Sequence, residues 1–383
     1  MVQCCHRLRL FVKRRSPKYA SPDPNKDSDS DCDDSFEPPV CIVLNRAANG
    51  ASAVIEEAKT LPQGACTIIF LSRESGLVDE LADLLVRQPN VRFLAGGGDG
   101  TLSAVSSILA RAAFVAQVAE PLLAPLPLGT GNEAARVLGW GAFHSGRLVQ
   151  RLANIRCGTP SRLDCWKWES TTECSTESPK TLTFLCFFSM GFDAAISHNF
   201  TLTRERLPGL CSSRLFNKAV YAWHGAKELA TSPRYLGKDS IALTVNGESL
   251  VIPPALNTCQ IFNIHSSGDG IDFWGSGKES TRAELQRHER PNVADGLLEV
   301  VGTKGVWDLL VTKLGLRHSH RLAQCAHIQI KTTISIPCQV DGETWIQEPG
   351  RIEVKYSHSI PIVLGPGTTL NCARDLLAPC KER

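Results

Sequence analysis

Over its first part the chain alternates short apolar runs with longer stretches of helical periodicity. "CIVLN" (41–45), "CTIIFL" (66–71) and "VRFLAG" (91–96) are apolar runs of strand length. Between them, "ASAVIEEAKTL" (51–61) and "LVDELADLLVRQ" (77–88) space their apolar residues three and four apart, which predicts amphipathic helices. A third helical pattern, "TLSAVSSILARAA" (101–113), is followed by the strand-like "LLAPLPLG" (122–129) and a helix start at "GNEAARVLGW" (131–140). Regular alternation of strand and helix implies a parallel sheet with helical crossovers, an α/β domain. Beyond about Gly158 the texture changes. "RLDCWKW", "TLTFLCFFSMGF", "SIALTVNG", "TCQIFNIHS", "GLLEVVG", "HIQIKTT", "ISIPCQVDG" and "RIEVKYS" read as strands bounded by turn residues, which predicts a β-rich, sandwich-like second domain. Two helices, "LFNKAVYAWHGAKELA" (215–230) and "VWDLLVTKLG" (306–315), are expected to interrupt it.

The start of the chain fits neither pattern. Residues 1–38 are basic up to Lys18 and then acidic and polar through "DSDSDCDDSFEPP", with almost nothing to bury, and are expected to form a disordered, charge-segregated leader. The whole chain has 383 residues, enough for two cored domains, and a formal charge of +2, which gives nucleic acid no electrostatic footprint. No apolar run is long enough to span a bilayer, and "LRLFV" is too short for a secretory core, so a cytoplasmic protein is expected. The 15 cysteines follow no metal-ligand spacing and read as reduced, mostly buried thiols. Cys4 and Cys5, just before Arg7, Arg9, Lys13, Arg14, Arg15 and Lys18, are candidates for acylation.

The chemistry concentrates in two glycine loops. "LAGGGDGTLSAV" (94–105) sets Asp99 among bare backbone between a strand and a helix, where the amides and the helix N-terminus suit a phosphate. A carboxylate there is repelled by phosphate unless a divalent cation lies between them, so Asp99 implies magnesium with a nucleotide. A tight strand-to-helix turn capped by aspartate would look the same. "PLPLGTGNEAARVLGWG" (125–141) repeats the construction, and two such loops on neighbouring strands could enclose one nucleotide.

These motifs resemble those of the eukaryotic diacylglycerol kinases. The family's GGDGT appears as Gly97, Gly98, Asp99, Gly100 and Thr101, and its second motif as "GTGNEAARVLGWG". The likeness continues in order through "FSMGFDAAISHNF", "RERLPGLCSSRLFNKAVY", "IFNIHSSGDGIDFWG", "ADGLLEVVG" and "QVDGETWIQ", from about Val40 to Val363. It implies a catalytic, ATP-binding domain over 39–158, a β-rich accessory domain over 159–361, and a return of the chain near "IPIVLGPGTTL" that lets about 362–383 complete the first domain. The implied activity is transfer of the ATP γ-phosphate to the hydroxyl of 1,2-diacylglycerol, with Mg²⁺, at a membrane surface bound reversibly. A kinase of ceramide or a sphingosine-like lipid, and a catalytically weak lipid-binding homologue, are the alternatives.

Residue by residue, the resemblance makes Asp99 the metal-linked carboxylate, joined by Glu133. Gly97, Gly98, Gly100 and Thr101 form one wall of the phosphate site, and Gly129, Thr130, Gly131 and Asn132 the other, with Asn45 nearby. Arg136 either neutralises phosphate or pairs with an acidic neighbour. Asp341 is expected as the general base and Glu343 as its support, both on one face of a strand, although Asp-Gly is also a turn signal. Asp295 either binds a structural ion or starts a turn. Arg214, Asn217 and Lys218 lie at helical spacing, where Arg214 and Lys218 share a face that either meets an anionic phosphate or lipid headgroup or is simply solvated, and Trp223, Trp274 and Trp345 could meet lipid tails or fill the core. Three departures stand out: Glu133 replaces the usual aspartate, Asn49 replaces a family glycine in "LNRAANG", and "IHSSGDGIDFWG" lacks the family's proline and tyrosine.

Overall fold

The computed structural model describes residues 37–72, 76–172, 179–207, 219–220, 223–227, 235–237, 240–268, 270–275, 291–305, 308, 311–312, 314, 316 and 319–368. Cys4, Cys5, nearly all of the leader, Arg214, Asn217 and Lys218 lie outside these residues, as do most of the two helices expected in the second half.

The first half builds as its periodicity dictates. The chain runs β1 (Val40–Leu44), α1 (Ala51–Thr60), β2 (Thr67–Phe70), α2 (Gly76–Arg87), β3 (Arg92–Gly97), α3 (Asp99–Ala116), β4 (Leu123–Pro127), α4 (Glu133–Val137) and α5 (Leu148–Cys157). β1 is wholly buried, and β4 likewise, as apolar runs between two helical layers should be. α2 turns Leu77, Val78, Leu81, Ala82, Leu84 and Leu85 inward, the stripe its spacing predicted. The strands lie in the order β2-β1-β3-β4, all parallel. Connections therefore leave β1 and β3 in opposite directions, and the crevice at their carboxyl ends, where Asn45 and Gly97–Gly98 sit, is the topological switch point where such sheets bind ligands.

The second half contains β5 (Pro160–Thr172), β6 (Lys180–Phe184), β7 (Phe187–Gly191), α6 (Phe192–Arg206), β8 (Ile241–Val245), β9 (Glu248–Leu250), β10 (Thr258–Phe262), β11 (Ser266–Ser267), β12 (Ile271–Asp272), β13 (Leu298–Thr303), β14 (His320–Cys325), β15 (His327–Thr332), β16 (Ile336–Val340), β17 (Glu343–Gln347) and β18 (Gly350–Val363). An antiparallel sheet, β14-β13-β10-β7-β16-β17, packs on strands β5, β6, β8, β15 and β18. Trp166, Trp168, Ile328, Ile330, Ile352 and Val354 from the latter face Phe188, Met190, Ile261, Val300 and Cys338 from the former, a sandwich core.

One sheet joins the halves. β18 runs antiparallel to β5 from Gly350 to Val363, and at Ile362 it pairs in parallel with Leu123 of β4. Past its end, Gly365 N–H donates to Leu138 O, Gly367 N–H to Gly139 O, and the Trp140 indole N–H to Val363 O. The expected crossing at 361/362 thus falls inside a continuous strand. Local texture misled in one place: "TLTFLCFFSMGF", read as one strand, is β6 and β7 separated by a bend at Leu185–Cys186, and the following residues form α6.

Candidate active site

The two glycine loops pack against each other before they can hold anything else. A Cβ on Gly129 would lie 2.5 Å from Gly98 Cα and 2.8 Å from Asn132 Oδ1, so bare backbone is needed for the loops to touch. Asn132, in the left-handed region at φ 54°, fastens the second loop. Its Oδ1 accepts Gly129 N–H at 2.9 Å, and its Nδ2 donates to Gly129 O and Ala142 O at 2.9 and 2.7 Å. On the first loop, Asn45 Nδ2 donates to Thr101 Oγ1 at 3.2 Å across the switch point. Gly100 differs from the others. It sits in the first turn of α3, and a Cβ there meets nothing within 4 Å, so neither packing nor backbone conformation asks for glycine. Gly131 likewise leaves ordinary clearance of 3.4 Å beside Asp99 Oδ2. Thr130 is exposed at the same rim, while Arg136 Nε donates back to Gly131 O at 3.3 Å.

Asp99 links the loops. Its Oδ2 accepts Glu133 N–H and its Oδ1 accepts Ala134 N–H, each at 3.0 Å, so it caps α4 from a position 34 residues away. Burial raises its pKa and makes it a weaker acid, and the amides and the Cys186 thiol, also hydrogen-bonded to it, pull it partly back.

Asp341 is built the same way from the other half. The expectation of two carboxylates alternating along one strand face fails here: Asp341 (φ 46°) and Gly342 (φ 86°) are the two central residues of the β16–β17 hairpin, with both φ positive as a type I′ turn requires. The turn aims the Asp341 carboxylate at the Leu185–Cys186 bend, where Oδ2 accepts Leu185 N–H at 2.9 Å and Oδ1 accepts Cys186 and Phe187 N–H at 3.0 and 2.9 Å. Burial of the carboxylate pushes it up to about 7; the three amides lower it, and the charge of Asp99 raises it again. The thiol of Cys186 is driven well above its ordinary range by burial and then by the charges of Asp341, Asp99 and Glu133. Asp99 and Asp341, one from each half of the chain, thus both reach the same buried cysteine.

Comparison with known proteins matches this architecture in order. Residues 39–168 match the diacylglycerol kinase catalytic domain and residues 183–344 the diacylglycerol kinase accessory domain. The chain belongs to the diacylglycerol kinase family. It is 36% identical over 279 residues to diacylglycerol kinase theta of Mus musculus, covering 70% of this chain and 29% of that protein. The Homo sapiens theta protein gives 36% over 280 residues, with the same 70% and 29% coverage. The chain therefore spans about three tenths of the length of these relatives. A solved Bacillus anthracis structure assigned as a diacylglycerol kinase shares the fold, with a TM-score of 0.52 at 17% identity over 86% of this chain and 98% of that one.

Within this family framework the remaining predicted residues separate. Glu133 is buried, and its carboxylate is turned to the β11–β12 hairpin of the accessory half, accepting from Ser266 Oγ and Gly270 N–H. Glu343 opens β17 as an exposed residue paired with Val340, so the structure does not bring it to the amides that hold Asp341. Asp295 is exposed, and its Oδ1 accepts Leu297 N–H at 2.9 Å, the turn alternative. Trp274 is core at 2% exposure, under the Arg321 guanidinium at 5.2 Å, and Trp345 packs edge-on to Trp168 at 5.0 Å; Trp223 is 70% exposed. Leu185, Cys186 and Phe187 carried no signal in the sequence, because main-chain donors have no residue type.

Proposed function

We propose that the chain transfers the γ-phosphate of ATP to the free hydroxyl of 1,2-diacylglycerol, giving phosphatidic acid and ADP. The observation that carries this reading is the convergence of Asp99, from the catalytic region, and Asp341, from the accessory region, on the Leu185–Cys186 bend. Phosphoryl transfer asks a protein for alignment and charge stabilisation. The unobstructed face of Gly100 at the start of α3, with Gly97, Gly98 and Thr101, supports a phosphate cradle, and Gly129, Thr130 and Gly131 its opposite wall.

Among the described residues no group of three or more His, Cys, Asp or Glu is placed to hold a metal ion. Magnesium bound with nucleotide needs only one or two carboxylates beside phosphate oxygens and water, so Asp99 with the clearance next to Gly131 fits it. When bound, the ion neutralises phosphate charge. Asp341 is the general base: its carboxylate takes the hydroxyl proton, the freed oxygen bonds to the γ-phosphorus, and the bond to the ADP oxygen breaks. A carboxylate lifted to about 7 is suited to that task near neutral pH. Its three amides hold the oxygens in place across the crevice.

Access to a bilayer-borne substrate requires surface contact, and no helix of the described residues is long and apolar enough to cross a membrane. We infer transient peripheral binding by a cytoplasmic protein, with the Lys and Arg residues of 1–18 contributing about 1 kcal/mol each near an anionic surface. The test of function is transfer of radiolabelled phosphate from ATP to diacylglycerol, ceramide, sphingosine and NAD in mixed micelles. Selective labelling of diacylglycerol supports the reading. Labelling of another acceptor, or of none by the folded full chain, overturns it.

A further inference from the structure

The first departure from the family motif, Glu133 for aspartate, faces the third, the altered "IHSSGDGIDFWG" segment. Glu133 is 4% exposed. Its main-chain N–H holds Asp99 Oδ2 at 3.0 Å, while its carboxylate reaches the other half of the molecule. There Ser266 Oγ donates to Oε2 at 3.2 Å, and Gly270 N–H is shared between Oε1 and Oε2 at 3.3 and 3.2 Å. Gly270 sits at φ 84°, which presents its amide to α4, and a Cβ on it would lie 3.8 Å from Arg136 Cδ and Nη1, so the second glycine loop and this hairpin lie side by side.

We propose that Glu133 is a positioning residue: an interlobe latch that couples the Asp99 carboxylate to the accessory half through hydrogen bonds. This rests on the phosphoryl-transfer reading above and assigns Glu133 a task other than metal ligation. The extra methylene is what the latch uses. Aspartate at 133 would withdraw the carboxylate by about 1.5 Å, and contacts already at 3.2–3.3 Å do not survive such a retreat. Glutamine keeps the length and an oxygen acceptor for Gly270 N–H, and its Ser266 partner can rotate to accept from the amide nitrogen.

The latch and the metal ligand therefore predict opposite orders among variants. With full-length protein, Glu133→Gln is expected to keep kcat for diacylglycerol phosphorylation within about threefold of the parent. Glu133→Asp and Glu133→Ala are expected to lose tenfold or more in kcat with KM for ATP changed less than twofold, because the nucleotide walls stay intact while their alignment with Asp341 is lost. Hydrogen exchange at the Gly270 amide reads the latch without turnover: faster in Glu133→Ala and Glu133→Asp, protected in Glu133→Gln, with β7 unchanged in all. Ser266→Ala approaches from the opposite side, leaving α4 intact, and is expected to loosen Gly270 partially should Glu133→Ala fold poorly. Retained kcat in Glu133→Asp with collapse in Glu133→Gln overturns the latch in favour of metal ligation, and so does unchanged Gly270 exchange in Glu133→Ala and Glu133→Asp. A parent protein that labels no diacylglycerol sinks the functional reading alone; Gly270 exchange still decides the latch.

Discussion

Asp99 and Asp341 are two half-buried carboxylates held by main-chain amides, yet they stand in opposite relation to the sequence around them. Asp99 lies in a glycine-rich strand-to-helix turn, and its amides come from the neighbouring loop, 34 and 35 residues on. Asp341 lies in an ordinary two-residue hairpin turn, and its amides come from a bend more than 150 residues earlier. The first carboxylate joins two walls of one half and stays close to the nucleotide loops. The second is carried across the crevice by an antiparallel sheet, and three amides counter burial so incompletely that it ends near neutrality. Both carboxylates are raised by burial and lowered by main-chain amides, but Asp341 also feels the charge of Asp99, so the same anchoring chemistry suits the proposed metal-linked carboxylate in one place and the proposed base in the other.

The comparison breaks most sharply at Asp341. Asp341→Asn removes the proposed base, keeps an oxygen acceptor for Cys186 and Phe187 N–H but turns an NH2 on Leu185 N–H, so kcat is expected to fall by about 10³-fold, with a loss of about 1–3 kcal/mol of stability read in a thermal unfolding scan. Asp99→Asn is expected to cost about 10²-fold in kcat, and, unlike the Asp341 variant, to raise KM for ATP in steady-state kinetics, since it disturbs the nucleotide walls.

The glycines sharpen the same contrast on the nucleotide side. Gly100→Ala is expected to leave stability unchanged and to raise KM for ATP about tenfold, equivalent to about 1.4 kcal/mol, because its Cβ would enter only the open space. Gly129→Ala, whose Cβ would press on Gly98 backbone, is expected to destabilise the fold by about 1–3 kcal/mol, read by denaturant titration. The smallest effect belongs to Cys186→Ala. Its main-chain N–H to Asp341 survives, and only the thiol's bond to Asp99 is lost, so kcat should drop about two- to tenfold, the worth of one hydrogen bond.

Much of the architecture was legible in advance because it is local. The alternation of "CIVLN", "CTIIFL" and "VRFLAG" with helical spacings leads directly to the parallel sheet, and the strand-like runs bounded by turn residues after Gly158 lead to the sandwich. What escaped was anchored from afar. α5 carried no cap of its own; Glu57 of α1 accepts Leu148 N–H at 2.8 Å and holds His144 at 2.9 Å, a cap supplied 91 residues away. The β6–β7 break at Leu185–Cys186 is invisible as an apolar run, since it is the Asp341 carboxylate that makes a bend there favourable. At Asp341 itself the sequence offered two readings, turn or acidic pair, and the structure shows that the turn is what delivers the carboxylate, while Glu343 faces outward.

The most direct test of the shared site is the pH dependence of kcat for diacylglycerol phosphorylation in the parent and in Asp341→Asn. As the proposed base, Asp341 must be deprotonated to accept the hydroxyl proton, and burial pushes its carboxyl up to about 7, so the parent rate should climb about tenfold per pH unit below that point and level above it. The variant should be slow and lack that inflection. A variant that keeps the parent's rate and the same rise through pH 7 would contradict the account.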